Sequence, residues 1–347
     1  MAMAMLVMSI LPLVFANDVG VGLTPSIGTE DYAPNVWMCD SRLVQDDNTE
    51  PGRLTLPGDR LTERQNNYLF EGEQLSYKVL VKEKNGIQKI SDVFGTLGDV
   101  QGVGNDIEVN CIEDLSTTYV LDSCNARILE EQITDFDATT MRYYDCTFTV
   151  ETPDSHYGEY WFTVEAEDLD GLSTTVDENE YWFLNPVIAI TVEGDLAFED
   201  VRPGTSSYSE TLLVGNDADD GSGVLLDMFI SGTDFYDTAS SGAACPTTNQ
   251  LALTNFRYYA TGGAYSSQDD ARGDLESYVP IGYATGFNNP TPFYDGFEII
   301  QTTVGDYSDG NVLTPGSELA ITFRLNLPEP CNGDFDSGTI NFWGEAI

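Results

Sequence analysis

Apolar residues in this 347-residue chain recur at every second position over long stretches. In residues 74–81, Leu75, Tyr77, Val79 and Val81 share one parity, and in 159–166 Tyr160, Phe162, Val164 and Ala166 do the same. In 318–327, Leu319, Ile321, Phe323, Leu325 and Leu327 fall on one parity, with Thr322, Arg324 and Asn326 on the other. A period of two sends alternate side chains to opposite faces of an extended strand. Such segments read as antiparallel strands buried on one face. No long stretch shows the period of an amphipathic helix. Between the runs stand Asn85-Gly86, Asp170-Gly171, Asp220-Gly221, Asp309-Gly310 and Asn332-Gly333, dipeptides suited to tight turns. Short strands separated by frequent turns predict an all-β protein of sandwich type. The length exceeds one ordinary domain and suits two. With 41% hydrophobic residues, 18 Tyr and 17 Phe, there is material for two cores.

The expected boundary is Asn185-Pro186. Tyr181-Trp182-Phe183-Leu184 ends one strand before it, and a new apolar run starts at Val187. This gives a first β-sandwich over 37–186, in which 99–145 reads as an insertion of weaker alternation, and a second over 187–347. Residues 17–36 form an arm in which Val19, Val21 and Leu23 alternate with Gly20 and Gly22. Residues 1–16 are uncharged, apolar and end in Val14-Phe15-Ala16, as a secretory signal does before its cleavage site, although the usual basic start is missing. The run is short for a bilayer span, and no later stretch could span a membrane.

Charge then restricts partners. Fifty-eight Asp and Glu face 14 Lys and Arg, a formal net charge of -44. All four lysines, Lys78, Lys82, Lys84 and Lys89, lie in one short stretch. Nucleic acid and anionic headgroups require clustered cations, so both are excluded as partners. A surface of this kind fits high salt, or an extracellular setting with divalent cations. No Asn-x-Ser/Thr site for N-glycans is present, since Asn289 precedes a proline.

The six cysteines, Cys39, Cys111, Cys124, Cys146, Cys245 and Cys331, divide four and two between the halves. After a secretory signal, that reads as disulfides within each half. The expected pairs are Cys39–Cys146 by shared strand parity, Cys111–Cys124 within the insertion, and Cys245–Cys331. The last closes a loop worth about 4–5 kcal/mol in the chain-entropy account.

The order Phe70-Glu71-Gly72-Glu73, Asn85-Gly86, Tyr157-Gly158-Glu159-Tyr160-Trp161 and Ala166-Glu167-Asp168-Leu169-Asp170-Gly171 resembles secreted archaeal Ig-like cell-surface proteins over roughly residues 65–185. Pro203-Gly204, the run to Asn216, Leu226 to Gly232, Pro315-Gly316 and Gly338 to Phe342 resemble, more weakly, the jelly-roll subunits of TasA/camelysin-like fibres. The first resemblance implies an Ig-like fold. The second implies a jelly roll, self-assembly by donated strands and no catalysis.

Chemistry is sparse. His156, in a turn before a strand, is the only histidine and reads as a solvated loop residue rather than a catalytic base. With so many acids, any carboxylate spacing suited to glycoside hydrolysis arises by chance. Trp161 and Trp343 fall on outward parities, where they either stack on sugars or meet another domain or subunit. Asp217, Asp219 and Asp220 crowd a glycine-rich loop, and Asp168 and Asp170 face Asp177 and Glu178 across a hairpin. Oxygen-rich loops of this kind bind Ca2+ or fold into Asx-turns. No other cofactor is implied. The reading is a secreted, non-catalytic structural protein of the cell envelope that assembles with itself or with other envelope proteins. The alternatives are a calcium-dependent adhesin or glycan-binding surface protein, and a secreted hydrolase using two carboxylates.

Overall fold

The computed structural model describes residues 30–39, 43–46, 66–101, 107–125, 133, 135–176, 181–199, 201–239, 242–283, 297–301 and 310–347. Residues 1–16, the arm residues Val19, Val21 and Leu23, and Asp177 and Glu178 lie outside them. The described chain is all-β, with sheets stacked as sandwiches, one short α-helix, α1 (Asp122–Asn125), and three single-turn 3-10 helices.

The first half contains β1 (Asn35–Met38), β2 (Leu43–Asp46), β3 (Tyr68–Leu69), β4 (Glu73–Lys82), β5 (Ile90–Gly98), β6 (Ile107–Asp114), β7 (Met141–Thr149), β8 (Gly158–Asp168), β9 (Ser173–Val176) and β10 (Tyr181–Leu184). One layer holds β1, β2, β4 and β7, and the other holds β5, β8, β9, β10 and β3. β6 joins them. Its first residues pair with β5 (Val109 opposite Gly95), and its last pair with β7 (Cys111 opposite Cys146). A strand that changes layer partway makes a sandwich corner. Glycine is needed there, because a Cβ on Gly95 would come within 2.8 Å of Val109.

The alternations of the sequence are the core strands. Leu75, Tyr77, Val79 and Val81 of β4 pack against Phe162, Val164 and Ala166 of β8. Tyr77 stacks on Phe162 at 4.4 Å and accepts the indole N–H of Trp182. The outer face of β4 and β7 is also covered. Trp37, Cys39, Leu80, Met141 and Tyr143 pack there with Cys124 and Ile133 from the stretch between β6 and β7.

This second apolar layer corrects the disulfide scheme. Cys146 points into the main core, whereas Cys39 shares its face with Trp37 on the outer side. The two therefore lie on opposite faces of one sheet and cannot meet. Cys39 bonds Cys124, and Cys111 bonds Cys146 directly across the β6–β7 ladder. Cys245–Cys331 forms as expected.

The second half contains β11 (Ile190–Glu193), β12 (Ser206–Asn216), β13 (Leu226–Gly232), β14 (Phe256–Gly262), β15 (Tyr265–Ser266), β16 (Val279–Pro280), β17 (Gly282–Tyr283), β18 (Val312–Leu313), β19 (Glu318–Asn326) and β20 (Ile340–Ala346). One sheet runs β11-β12-β19-β14-β15, with β16 also on β14. The other centres on β13, flanked by β20, β17 and β18. Leu319, Ile321 and Phe323 of β19 meet Leu226, Met228 and Ile230 of β13 between them. Among the described strands, none is shared by the two sheets of this half.

The halves touch through β3 and β10. Tyr68 and Phe183 are buried with the second core, and the Tyr68 hydroxyl donates to the Ile347 carbonyl. Tyr157 donates to Asp219 at 3.0 Å, and Asn66 to the Gly223 carbonyl at 2.7 Å. These contacts lie at the Gly158 end of β8. At the other end, Lys89 bonds Asp170 at 2.7 Å and Asp31 at 3.4 Å. The chain therefore enters the first half at the pole remote from the second.

Candidate functional site: an open groove between two sheet edges

β11 carries Ile190 and Val192 on its inward parity, and the parity continues through Gly194 to Leu196. Gly194 has a φ of 107°, a conformation L side chains rarely adopt, and the chain there turns off β12. Pairing stops at Glu193, opposite Leu213. Facing β11 across the layer gap is β20, whose inward residues are Ile340, Phe342 and Gly344. The two edges meet where Ile190 packs over Gly344, since a Cβ there would sit 3.0 Å from the isoleucine Cδ1. From that point the sheets diverge.

The result is a cavity of about 570 Å3 with Leu212 and Phe323 as its floor. Val192 and Leu196 on one wall face Ile340 and Phe342 on the other. Val192 stays 49% exposed and Leu196 37%, so the groove is open to solvent along its mouth. None of its lining residues is charged, in a chain of net charge -44. Among the described strands β11 pairs only with β12 and β20 only with β13, so each offers an edge at the mouth. Such an arrangement has no acid, base or nucleophile. It suits apolar side chains carried on an extended backbone.

The acidic loops have other partners. One carboxylate oxygen of Asp219 accepts the Val187 N–H at 2.9 Å as well as the Tyr157 hydroxyl. Asp217 and Asp220 are exposed. Asp168 Oδ1 accepts from the Asp170 and Leu172 N–H groups at 2.9 and 2.8 Å, an Asx-turn closing the β8–β9 hairpin, and Asp170 pairs with Lys89. Among the described residues, no group of three or more His, Cys, Asp or Glu converges on a point where a cation would sit.

The histidine expectation is corrected. His156 is buried between Phe148 and Tyr160 rather than solvated, and burial lowers its pKa. Its Nδ1 accepts the Glu151 N–H at 3.0 Å. Of the two outward tryptophans, Trp161 pairs with Tyr181 at 5.4 Å. Trp343 packs with Phe229 and Phe297 and donates to Ser231 at 3.0 Å. The groove itself was not foreseen. Its walls come from strands about 150 residues apart, and only their separate alternations are visible in the sequence.

Among the described residues no helix is long and apolar enough to cross a membrane. No family model matches the chain. It is 27% identical over 192 residues to an uncharacterized protein of Methanocaldococcus jannaschii, covering 50% of this chain and 52% of that protein. The chain thus spans about half the length of the curated relative it matches. Among solved structures, it is similar to the C-terminal domain of the AgI/II polypeptide BspA of Streptococcus agalactiae, at 10% identity and a TM-score of 0.27, covering 90% of this chain and 97% of that one. It is also similar to a DUF4466 family protein from Parabacteroides merdae, at 10% identity and 0.25, covering 86% and 100%. Likenesses at these scores carry no argument about what this chain does.

Proposed function

We propose that this is a non-catalytic, secreted protein of the cell envelope that assembles head to tail by strand addition. The groove between β11 and β20 would take the arm, residues 17–27, of another copy. The observation that carries the proposal is the charge-free groove flanked by two edge strands. The arm fits it chemically. In an extended strand Val19, Val21 and Leu23 would present one apolar face, and the glycines between them would let a backbone approach closely.

Geometry favours another copy over the same one. Asp31 sits near Asp170, about ten residue steps of β8 from the contacts of Tyr157 with the second half, or about 33 Å. Leu23 is seven residues before Glu30 and reaches at most about 25 Å from it. Glu30, the first described residue, and the groove thus lie at opposite poles, and a head-to-tail contact of that kind builds open arrays, or rings where the rotation closes. Three disulfides support an oxidising, extracellular setting. His156 is buried and its Nδ1 already accepts the Glu151 N–H, which supports a role without acid–base catalysis by this histidine.

Light scattering and negative-stain imaging of the chain starting at Asn17 test the proposal. Assembly should disappear on deleting 17–27 and on Val192→Arg, each with little change in melting temperature. A synthetic 17–27 peptide should bind the deleted chain but not its Val192→Arg form. Continued assembly of the deleted chain would sink the idea.

A further inference from the structure

The outer face of the six-stranded sheet carries a separate cluster. Tyr208 on β12 and Tyr259 on β14 flank Tyr278, which precedes β16, with ring centroids 5.8 and 6.0 Å from it. Beneath them lies Arg324 of β19, opposite both Tyr208 and Arg257 in the strand register. Its guanidinium sits 4.6 Å from the Tyr278 centroid. One end bonds Glu276 at 2.5 Å and the other bonds Asp274. Arg257 donates to the Tyr278 carbonyl at 3.0 Å and lies 3.8 Å from Asp274. Arg324 is only 5% exposed, and its Nε has no hydrogen-bond partner.

Three properties of this cluster point to a ligand. First, the network fixes the rings, so little ordering remains to be done on binding. Second, two arginines offset Asp274 and Glu276, leaving a locally neutral patch on a strongly anionic chain. Such a patch selects a ligand without charge. Third, exposed Tyr208 and half-buried Tyr259 stand beside a polar group that remains accessible: Tyr208 is 51% exposed and the Glu276 side chain 65%. Aromatic faces stack on the C–H faces of sugar rings, and a carboxylate accepts from neighbouring hydroxyls. Tyr208 and Tyr259 lie two strand spacings apart and two residues offset along the strands, about 12 Å in all, a span of roughly two pyranose rings.

We infer that this face binds a neutral polysaccharide. Tyr208 and Tyr259 stack on its rings, and Glu276 accepts from its hydroxyls. The site is independent of the groove and of assembly through it.

Affinity electrophoresis of the chain starting at Asn17 tests this. The gels contain a soluble β-1,3-glucan, a β-1,4-linked mannan, an α-1,4-glucan or, as the charged control, a polyuronate. At least one neutral polymer should retard the protein, and 0.5 M NaCl should not relieve it. Tyr208→Ala should weaken that binding about tenfold, and Glu276→Gln should weaken it as well, with melting temperatures kept. Retardation by the polyuronate alone, or by none of the four, overturns the inference. So does retardation that both variants leave unchanged. A Tyr208→Ala chain that keeps its sugar binding but loses assembly would make the face a subunit contact instead.

Discussion

The two halves close their sandwiches differently. In the first, β6 is hydrogen-bonded to both layers, and a disulfide crosses its ladder at Cys111 and Cys146. In the second, no described strand passes between the sheets. They meet through side chains and stand apart along the line from Gly344 to Leu196. A shared strand satisfies its own backbone and leaves no room for another. Two unshared edges leave a place for one. The difference teaches where to look for recognition in a chain with little chemistry: at the side of a sandwich left open.

Removing disulfides should break this comparison most forcefully. Replacing Cys245 and Cys331 by alanine should cost about 4–5 kcal/mol, the estimate for so long a loop. By loop length alone, the Cys111–Cys146 bridge is worth about 4 kcal/mol. That stabilisation lies in the unfolded chain, so the pairing of the two residues by β6 in the fold does not reduce it, and the loss measured by denaturant unfolding should come within about 1 kcal/mol of that of the other pair. A much smaller loss would show that β6 and β7 stay together in the unfolded first half without the bridge.

Acid should then push the halves in opposite directions. Asp227 of β13 is buried, and burial pushes its pKa up to about 6, while its carboxylate accepts from Asn311 at 2.7 Å and lies in register with Glu345. A raised carboxyl pKa means that the fold prefers the protonated form. That stabilisation is complete below about pH 4 and is lost as pH rises through 6, a swing on the order of 3 kcal/mol at most. In the first half, partial burial of Asp114 works against ionisation. Hydrogen bonds from Lys78, Ser116 and Thr117 nonetheless hold its carboxyl below the usual range. Its contribution is present above about pH 4 and is lost as pH falls further. Hydrogen exchange should therefore show β13 and β20 better protected at pH 4.5 than at pH 7.5. Asp227→Asn should remove most of that gain and leave β6 and β7 unaffected.

The smallest effect sharpens the comparison at the junction. Asp219→Ala leaves the Val187 N–H and the Tyr157 hydroxyl without their shared acceptor and should cost about 1–2 kcal/mol. Tyr157→Phe should cost less. If the halves are coupled through this contact, calorimetry will show a single transition broadening toward two in Asp219→Ala. An unchanged profile would mean that the remaining contacts, Tyr68, Phe183 and the Asn66 bond to Gly223, suffice to couple the halves.

The core strands were legible because burial on one face stamps a period of two on the chain, as at Leu75 to Val81 and Leu319 to Leu325. The disulfides of the first half were not. Parity says which residues share a face, but both faces of β4 and β7 are covered, so apolar neighbours could not tell the face of Cys39 from that of Cys146. β6 lay within the stretch read as an insertion. A strand that changes layer changes which of its residues are inside, and Ile112 ends 60% exposed. His156 misled because its burial comes from Phe148 and Tyr160 folding over it, which no local pattern announces. The groove and the tyrosine cluster depend on strands brought together from distant parts of the chain.

β6 also has a consequence for a chain under tension. In the first half a pulling force meets ladder bonds on both sides of one strand, which must break together before the layers can part. In the second half each sheet has its own ladders, but among the described strands none ties one sheet to the other. Single-molecule pulling should therefore rupture the second half first, with the Cys245–Cys331 bridge capping its extension, and a first rupture in the first half would refute this.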